Sequence, residues 1–363
     1  MNSTILALAL LTPAAPPAPA APDVKDTVRN GLKWLAEKQK ADGTWESLND
    51  IMPTTTTATA GLALLMEGST PSSGKYAPNI RKTVDWAVKN SADNGLLASK
   101  GMNEMYQYIS SHSQALVFLA CAYDVDDDTE RRKKVAKVLE QAVAYLAAAQ
   151  TTRGGWGFTA AGDPNGGGYD DSSSTATVLH ALLAARKAGI DVPKALTDKG
   201  FAYLGRATNM QGGIIYSLTG NVVPRGNDGQ PGISAMAAAS ALALDSRPGQ
   251  FAGWVTNAGS AVTQQYFVSL KQGGGVYSLT QLLHVSRVAF ALGDTGHRKL
   301  DPDARDAALL RWSDQRAKLF KTLKEMQGKD GSWNEVSFGP AYFSAQALVI
   351  LQLDNDFLPA FSR

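Results

Sequence analysis

Cysteine is nearly absent. Cys121 is the only one among 363 residues, which excludes an intrachain disulfide and a zinc cluster built from cysteines. It lies in the apolar run LVFLACAY, the setting of a buried, inert thiol. An excess of one charge sign is also missing. The net charge is +2, so nothing in the balance calls for nucleic acid or an acidic membrane surface as partner. No run beyond the N-terminus reaches the roughly 18 apolar residues of a membrane span. The Gly-rich stretches PNGGG and GNDG follow no strand pattern, which argues against dinucleotide and P-loop folds. No cofactor is legible.

The N-terminus lacks Lys and Arg before Lys25. It still carries a short apolar run, Ile5 to Leu11, and an A-x-A-like site, Ala18-Pro19-Ala20. This predicts a secretory signal over residues 1–20 and an exported chain, periplasmic or secreted. A disordered Ala/Pro tail is the alternative.

What is present is repetition. Hydrophobic residues make up 44% of the chain, enough for a large core. Three segments share the spacing Q-x3-G-x-W: Gln39 to Trp45, Gln150 to Trp156 and Gln327 to Trp333. Looser copies lie between them, SADNGLL, NMQGGII and KQGGGVY, giving units roughly 50 to 60 residues long, within the range of repeat architectures. The helix pattern before each Gly turn is amphipathic; Val24, Val28, Leu32 and Leu35 form one such stripe. The pattern after the turn is almost uncharged, as in TATAGLALL, TATVLHALL and SAMAAASALAL. A helix apolar all round is buried all round. Half-buried helices alternating with fully buried ones predict two concentric layers: an all-α ring of six helical hairpins, an (α/α)6 toroid spanning residues 24–363 as one domain. Gln39, Trp45, Gln150, Trp156, Gln327 and Trp333 are expected to be structural fasteners of the repeat.

The Q-x3-G-x-W units resemble the QW repeats of squalene-hopene cyclases, and the ring resembles the toroid of terpenoid cyclases and protein prenyltransferase β subunits. The chain is also similar to exported bacterial proteins carrying prenyltransferase/squalene oxidase repeats. The resemblance implies an apolar or isoprenoid-like small molecule as ligand, or a protein partner. The catalytic sets of those families are not carried over. In the cyclases an acidic D-x-D-D-T-A motif opens an inner helix. Here the matching register reads Asp171-Ser-Ser-Ser-Thr-Ala, with Ser173 where the proton donor would stand, and a hydroxyl is too weak an acid for alkene protonation. The D-x-D-D string Asp124-Val-Asp-Asp127 instead follows an inner helix. It precedes an outer one, at the opposite end of the ring, where acidic residues suit helix capping. The prenyltransferase zinc set and the thioester Cys-Gly-Glu-Gln are missing, so no metal site is predicted.

Candidate site residues therefore gather at the inner-helix N-termini. Asp170, Asp171 and His112 are the candidates for catalysis. Tyr108, His112, Asp170, Asp171, Tyr277, His284 and Tyr342 are the candidates for ligand contact, with Thr54 to Thr57, Ser172 to Ser174 and His180 nearby. Asp170 and Asp171 read either as paired acids or as a helix cap with its neighbour. Three function classes follow: a non-catalytic binding or interaction toroid, a terpenoid-cyclase-like enzyme, and a glycan-processing (α/α)6 enzyme. The last needs two carboxylates across a cleft, with Glu46, Glu104, Asp163, Asp170, Asp171, Asp228 and Glu335 available.

Overall fold

The computed structural model describes residues 20–99, 104–163, 169–219, 229–244, 246–272, 275–306, 309–334 and 338–362. The predicted signal segment therefore lies, but for its last residue, outside the described residues. In chain order, α1 (Lys25–Glu37) is outer and α2 (Pro53–Leu65) inner; α3 (Ala77–Lys89) is outer and α4 (Tyr108–Asp124) inner. The pattern continues with α5 (Thr129–Ala149) and α6 (Ser172–Lys187), then α7 (Lys194–Arg206) and α8 (Pro231–Ala241). The fifth outer element is broken into α9 (Phe251–Ala258) and α10 (Ala261–Lys271), followed by inner α11 (Gly275–Leu292). A short α12 (Gly296–Leu300) leads to outer α13 (Trp312–Met326) and inner α14 (Pro340–Leu351).

The inner helices pack in sequence, α2 on α4, α4 on α6, α6 on α8, α8 on α11, α11 on α14, and α14 closes the ring on α2. The chain is thus an all-α toroid, as the two helix types predict. The break in the fifth outer element departs from six plain hairpins. It falls at Gly259-Ser260, where Ser260 is extended (φ −62°, ψ 165°).

One joint, repeated around the ring, holds the layers together. Trp45, Trp156 and Trp333 are fully buried, and each donates its indole N–H to a carbonyl in the helix before it: Leu35 (2.7 Å), Leu146 (2.8 Å) and Leu323 (2.7 Å). Burying a ring of that size removes about 200 Å² from water, on the order of 5 kcal/mol of transfer free energy. The Gln of each unit reaches forward to the next outer helix. Gln39 Nε2 donates to Asn79 O (2.9 Å), Gln150 Nε2 to Leu196 O (3.1 Å) and Gln327 Nε2 to Thr27 O (2.9 Å). The last of these ties the final repeat to the first. The turn glycines Gly43, Gly154 and Gly331 have φ of 92°, 91° and 94°. Each backs onto a carbonyl of the next outer helix that a β-carbon would strike at 2.3 to 2.7 Å. Left-handed backbone and close approach together require glycine there.

The joint also fixes how each inner helix is turned. At the five Gly turns whose joint lies in the described residues, the backbone N–H after the turn donates to one side chain on the outward face of the following inner helix. Trp45 N–H reaches Thr57 Oγ1 (3.4 Å), Trp156 N–H reaches Thr175 Oγ1 (3.0 Å), and Trp333 N–H reaches Ser344 Oγ (2.9 Å). Ile214 N–H reaches Ser234 Oγ at 3.2 Å. In α4 the same position is His112, whose Nδ1 accepts from Leu97 N–H at 2.9 Å.

Candidate functional site

With the outward residue known, the residue facing the ring axis follows. Two positions along a helix is a rotation of about 200°, so residues two before and two after the joint point inward. That places Thr55 and Thr59 of α2, Ser110 and Gln114 of α4, Ser173 and Thr177 of α6, and Tyr342 and Gln346 of α14 on the axis, in two layers below the inner-helix N-termini. Thr280 of α11 belongs with them, accepting from Gln346 Nε2 at 2.8 Å. Away from their C-terminal ends, α4 and α6 leave only Ser110, Gln114, Ser173 and Thr177 half-exposed, all other positions being buried. At the inner-helix N-terminal end the positions that face the ring axis are therefore polar, and those of α4 and α6 are half-exposed; we term this end of the axis the axial well. The side chains of Ser110 and Gln114 form no hydrogen bond with any described residue and are available to a ligand. The Thr177 hydroxyl donates to Ser173 O (2.9 Å), leaving its lone pairs to accept. Gln346 Oε1 is buried without a partner, beside Tyr342 Oη, to which Gln346 Nε2 donates at 2.9 Å. Deeper in the inner ring Ala63, Phe118 and Ile350 are buried, and the Phe118 ring packs against Gly61 of the neighbouring inner helix. A groove of about 360 Å³ opens at the same end between Trp34, Glu46, Leu48 and Pro340.

The adjacent acids part company. Asp171 has extended backbone (φ −136°, ψ 158°), and successive side chains of an extended segment face opposite ways. Asp170 turns outward. Its carboxylate, fully buried, accepts from Thr151 Oγ1 (2.7 Å) and Arg153 Nε (2.9 Å). Asp171 turns in and caps α6: its Oδ1 accepts from Ser174 N–H (2.8 Å) and from Ser173 Oγ (2.9 Å). Its Oδ2 is buried without a hydrogen-bond partner. Burial pushes the Asp171 carboxyl above the ordinary range, against the lowering effect of the Ser174 and Ser173 hydrogen bonds. Burial likewise raises the phenols of Tyr169 and Tyr216, and the nearby Asp171 charge raises them further. A paired acid–base reading of Asp170 and Asp171 does not match this arrangement.

Two further carboxylates at this end, Glu104 and Asp163, are held by the fold. Glu104, fully buried, accepts from Thr54 Oγ1 (2.9 Å) and Ser99 N–H (2.9 Å). Asp163 accepts from Tyr108 Oη, while Tyr108 Oη in turn accepts from Ala160 N–H (2.9 Å). Tyr108 thus pins the 158–163 segment, and burial raises its phenol well above the usual value. Glu46 is exposed. Asp228 and Glu335 lie outside the described residues, as does the side chain of Tyr277.

The histidines do not converge on the well. Both nitrogens of His112 meet backbone groups, Nδ1 as above and Nε2 facing Ala142 O at 3.2 Å, which makes it a member of the repeated joint. Burial lowers its pKa to about 4. His180 and His284 sit ~12–14 Å below the starts of their helices at 1.5 Å per residue, close enough that the His284 charge acts on His180. Burial lowers His284 to about 3 and His180 well below the ordinary value. Among the described residues no group of three His, Cys, Asp or Glu side chains could hold a metal ion. At the far end, Asp128 caps α5 by accepting from Arg131 N–H (2.9 Å), and Asp126 is clamped by Arg131 Nη2 and Nε, both at 2.6 Å. The D-x-D-D string belongs to a capping loop, with the following Asp128 as the cap of α5.

Comparison with solved structures places the fold among α/α toroids at low identity. A cellobiose 2-epimerase from Spirochaeta thermophila is similar over 92% of this chain and 98% of its own, at 11% identity and TM-score 0.58. A family 76 α-mannanase from Bacteroides thetaiotaomicron is similar over 91% and 95%, at 10% identity and TM-score 0.55. A type II terpene cyclase from Scytonema aligns over 92% and 97% at 14% identity, with TM-score 0.46. No family model and no curated protein sequence matches the chain. No helix of the described residues is long and apolar enough to cross a membrane.

Proposed function

We propose that this chain is a ligand-binding toroid whose axial well takes a hydroxyl-rich ligand of the carbohydrate class. The observation that carries the reading is the pair of i, i+4 polar steps, Ser110/Gln114 and Ser173/Thr177, as the half-exposed positions of otherwise buried inner helices. Such a wall exchanges hydrogen bonds with hydroxyls, and an isoprenoid chain would leave Ser110 and Gln114 without partners. The likeness to the epimerase and the mannanase is one of fold; the ligand class comes from the side chains. Asp170, Asp171, Glu104 and Asp163 are engaged by an ion pair, a cap and loop hydrogen bonds, which leaves Glu46 as the free one among the described candidate carboxylates and supports binding over a two-carboxylate hydrolysis. The QW-repeat resemblance to squalene-hopene cyclases is kept as a likeness in the joint, with Ser173 in place of the acid. The apolar N-terminal run supports export, where free glycans are encountered.

Calorimetric titration with a panel of manno-, gluco- and cello-oligosaccharides tests the reading, with squalene in detergent as the contrasting ligand. Saturable binding to one glycan, weakened about tenfold or more by Gln114→Ala or Thr177→Val in a folded protein, is expected. Binding of squalene and of no glycan would reverse the assignment.

A further inference from the structure

The opposite end of the ring holds a second constellation that the well does not use. Arg287 of α11 is only 5% exposed, yet neither it nor Lys187 of α6 forms an ion pair with a described carboxylate. The one hydrogen bond of its guanidinium goes from Nη2 to Ala360 O at 3.3 Å. The face of the guanidinium lies over the Phe361 ring, 4.5 Å from its centroid. Edge-on to the same ring stands His180, with centroids 5.6 Å apart and Nε2 buried without a partner. Lys187 stands at the rim, Nζ donating to Pro359 O at 2.8 Å. These side chains, with Ala184 and Ala239, surround a cavity of about 20 Å³, room for one group the size of a water molecule or small ion.

Among the described residues, His180, His284, Cys121 and Lys187 are the titratable groups that interact with Arg287. His180 and His284 face it as neutral rings, and burial pushes the Cys121 thiol up to about 12, so it stays protonated. Burial lowers Arg287 itself to about 10, leaving it cationic at neutral pH. A guanidinium has five N–H donors, and a buried charge with one weak hydrogen bond and one ring costs several kcal/mol unless a counter-charge compensates it. The described residues that line the cavity beside it are Lys187, His180, Ser362 and apolar side chains, with no acid among them. Its shape and charge suit one occupant.

We propose that this chamber is a binding site for a compact monovalent anion, a halide, held by Arg287 and the Nε2–H of His180. Phe361 forms its floor, so the anion fastens the C-terminal segment 357–362 onto the inner ring. Lys187 at the rim draws the anion in and contributes less once it is bound. The site is separate from the axial well, and its test does not depend on any glycan.

The experiment uses bromide and chloride as probes on the full chain. Crystals soaked in sodium bromide should show an anomalous peak within hydrogen-bond reach of Arg287. In solution, the folding equilibrium constant should rise about tenfold for each tenfold increase in chloride above its Kd. Ionic strength is held constant with gluconate, which is too large for the cavity. Arg287→Met should abolish the chloride dependence and Lys187→Met should weaken it several-fold. Should Arg287→Met fail to fold, Ala239→Leu, which fills the chamber, serves as the second variant and should also remove the chloride effect. Superimposable chloride and gluconate titrations of the wild type, or bromide-soaked crystals without a peak at Arg287, would overturn the proposal.

Discussion

Trp156 lies so close to Gly200 of the next outer helix that a β-carbon there would sit 3.0 Å from Trp156 Cζ3 and 2.8 Å from Leu179 Cδ2. The same relation joins Trp333 to Gly31 across the closure of the ring, at 2.8 Å. The tryptophan fills the joint, and the facing glycine lets it in. Trp156→Ala should therefore destabilise the fold by about 3–5 kcal/mol through the cavity it leaves. Gly200→Val should cost about 1–3 kcal/mol by overpacking the same joint. Urea unfolding followed by circular dichroism measures both. A wild-type midpoint for Trp156→Ala would show that the joint does not hold the repeats.

How far the fold was legible follows from that joint. Gln39, Gln150 and Gln327 keep one spacing to their Trp because each spans the same gap to a neighbouring outer helix, so the chemistry wrote a visible period. His112 was harder to place. It reads as a functional histidine on its own, although HSQALVFLA aligns with TATAGLALL and sets His112 against Thr57. That register carried the signal that it is a joint residue. The axial well was missed for a related reason. Ser110 and Gln114 look like scattered polar interruptions until the joint fixes which face points inward. Asp170 and Asp171 read as a pair because they are neighbours in sequence, while extended backbone sends them to opposite sides. The cationic chamber joins α6, α11 and the C-terminal segment, and no local pattern links residues so far apart.

His112 carries a pH dependence with a defined sign. Its folded pKa, about 4, lies below the unfolded value near 6.5. Between those limits the unfolded chain binds a proton that the native chain does not. The stability it contributes is present above pH 6.5 and is lost as pH falls toward 4, with a slope approaching about 1.4 kcal/mol per pH unit. His284, with its folded value near 3, adds a loss of the same sign. His112→Asn keeps an acceptor for the Leu97 N–H and cannot titrate. Its stability curve should be shallower than wild type between pH 6.5 and 4. A curve of unchanged slope would mean that His112 is not buried neutral.

Asp126 and Asp127 should behave as structural residues remote from any ligand. Burial would raise the Asp126 carboxyl, but the hydrogen bonds from Arg131 and Ser72 more than offset it and hold the value below the ordinary range. The clamp's contribution is therefore present above the usual carboxylate pKa and is lost as pH falls through the depressed one. Asp126→Asn should cost about 1–3 kcal/mol by weakening a buried charge pair. Asp127→Asn, on an exposed side chain, should lie within about 0.5 kcal/mol of wild type. Neither should change glycan affinity in the axial well. A folded Asp126→Asn variant that lost binding would contradict the separation of the two ends.

Asp171 offers the sharpest test of the difference from a cyclase. Its carboxylate caps α6 through the Ser174 N–H, and Ser173 spends its hydroxyl on the same oxygen. Neither group is a strong acid aimed at the axis. Because burial raises the Asp171 pKa, the folded chain holds its proton more tightly than the unfolded one. The carboxyl therefore destabilises the fold as pH rises through the window above about 3.9. Asp171→Asn retains an oxygen for the cap and removes the buried charge, so at neutral pH it should be as stable as wild type or more so. Asp171→Ala removes the cap and should cost about 1 kcal/mol. Incubation of wild type with squalene or with a diphosphate-bearing isoprenoid should give no cyclised product by gas chromatography and mass spectrometry. A cyclic product made by the wild type and lost in the stable Asp171→Asn variant would make Asp171 an acid after all, and would move the ligand of the well from hydroxyl-rich to isoprenoid.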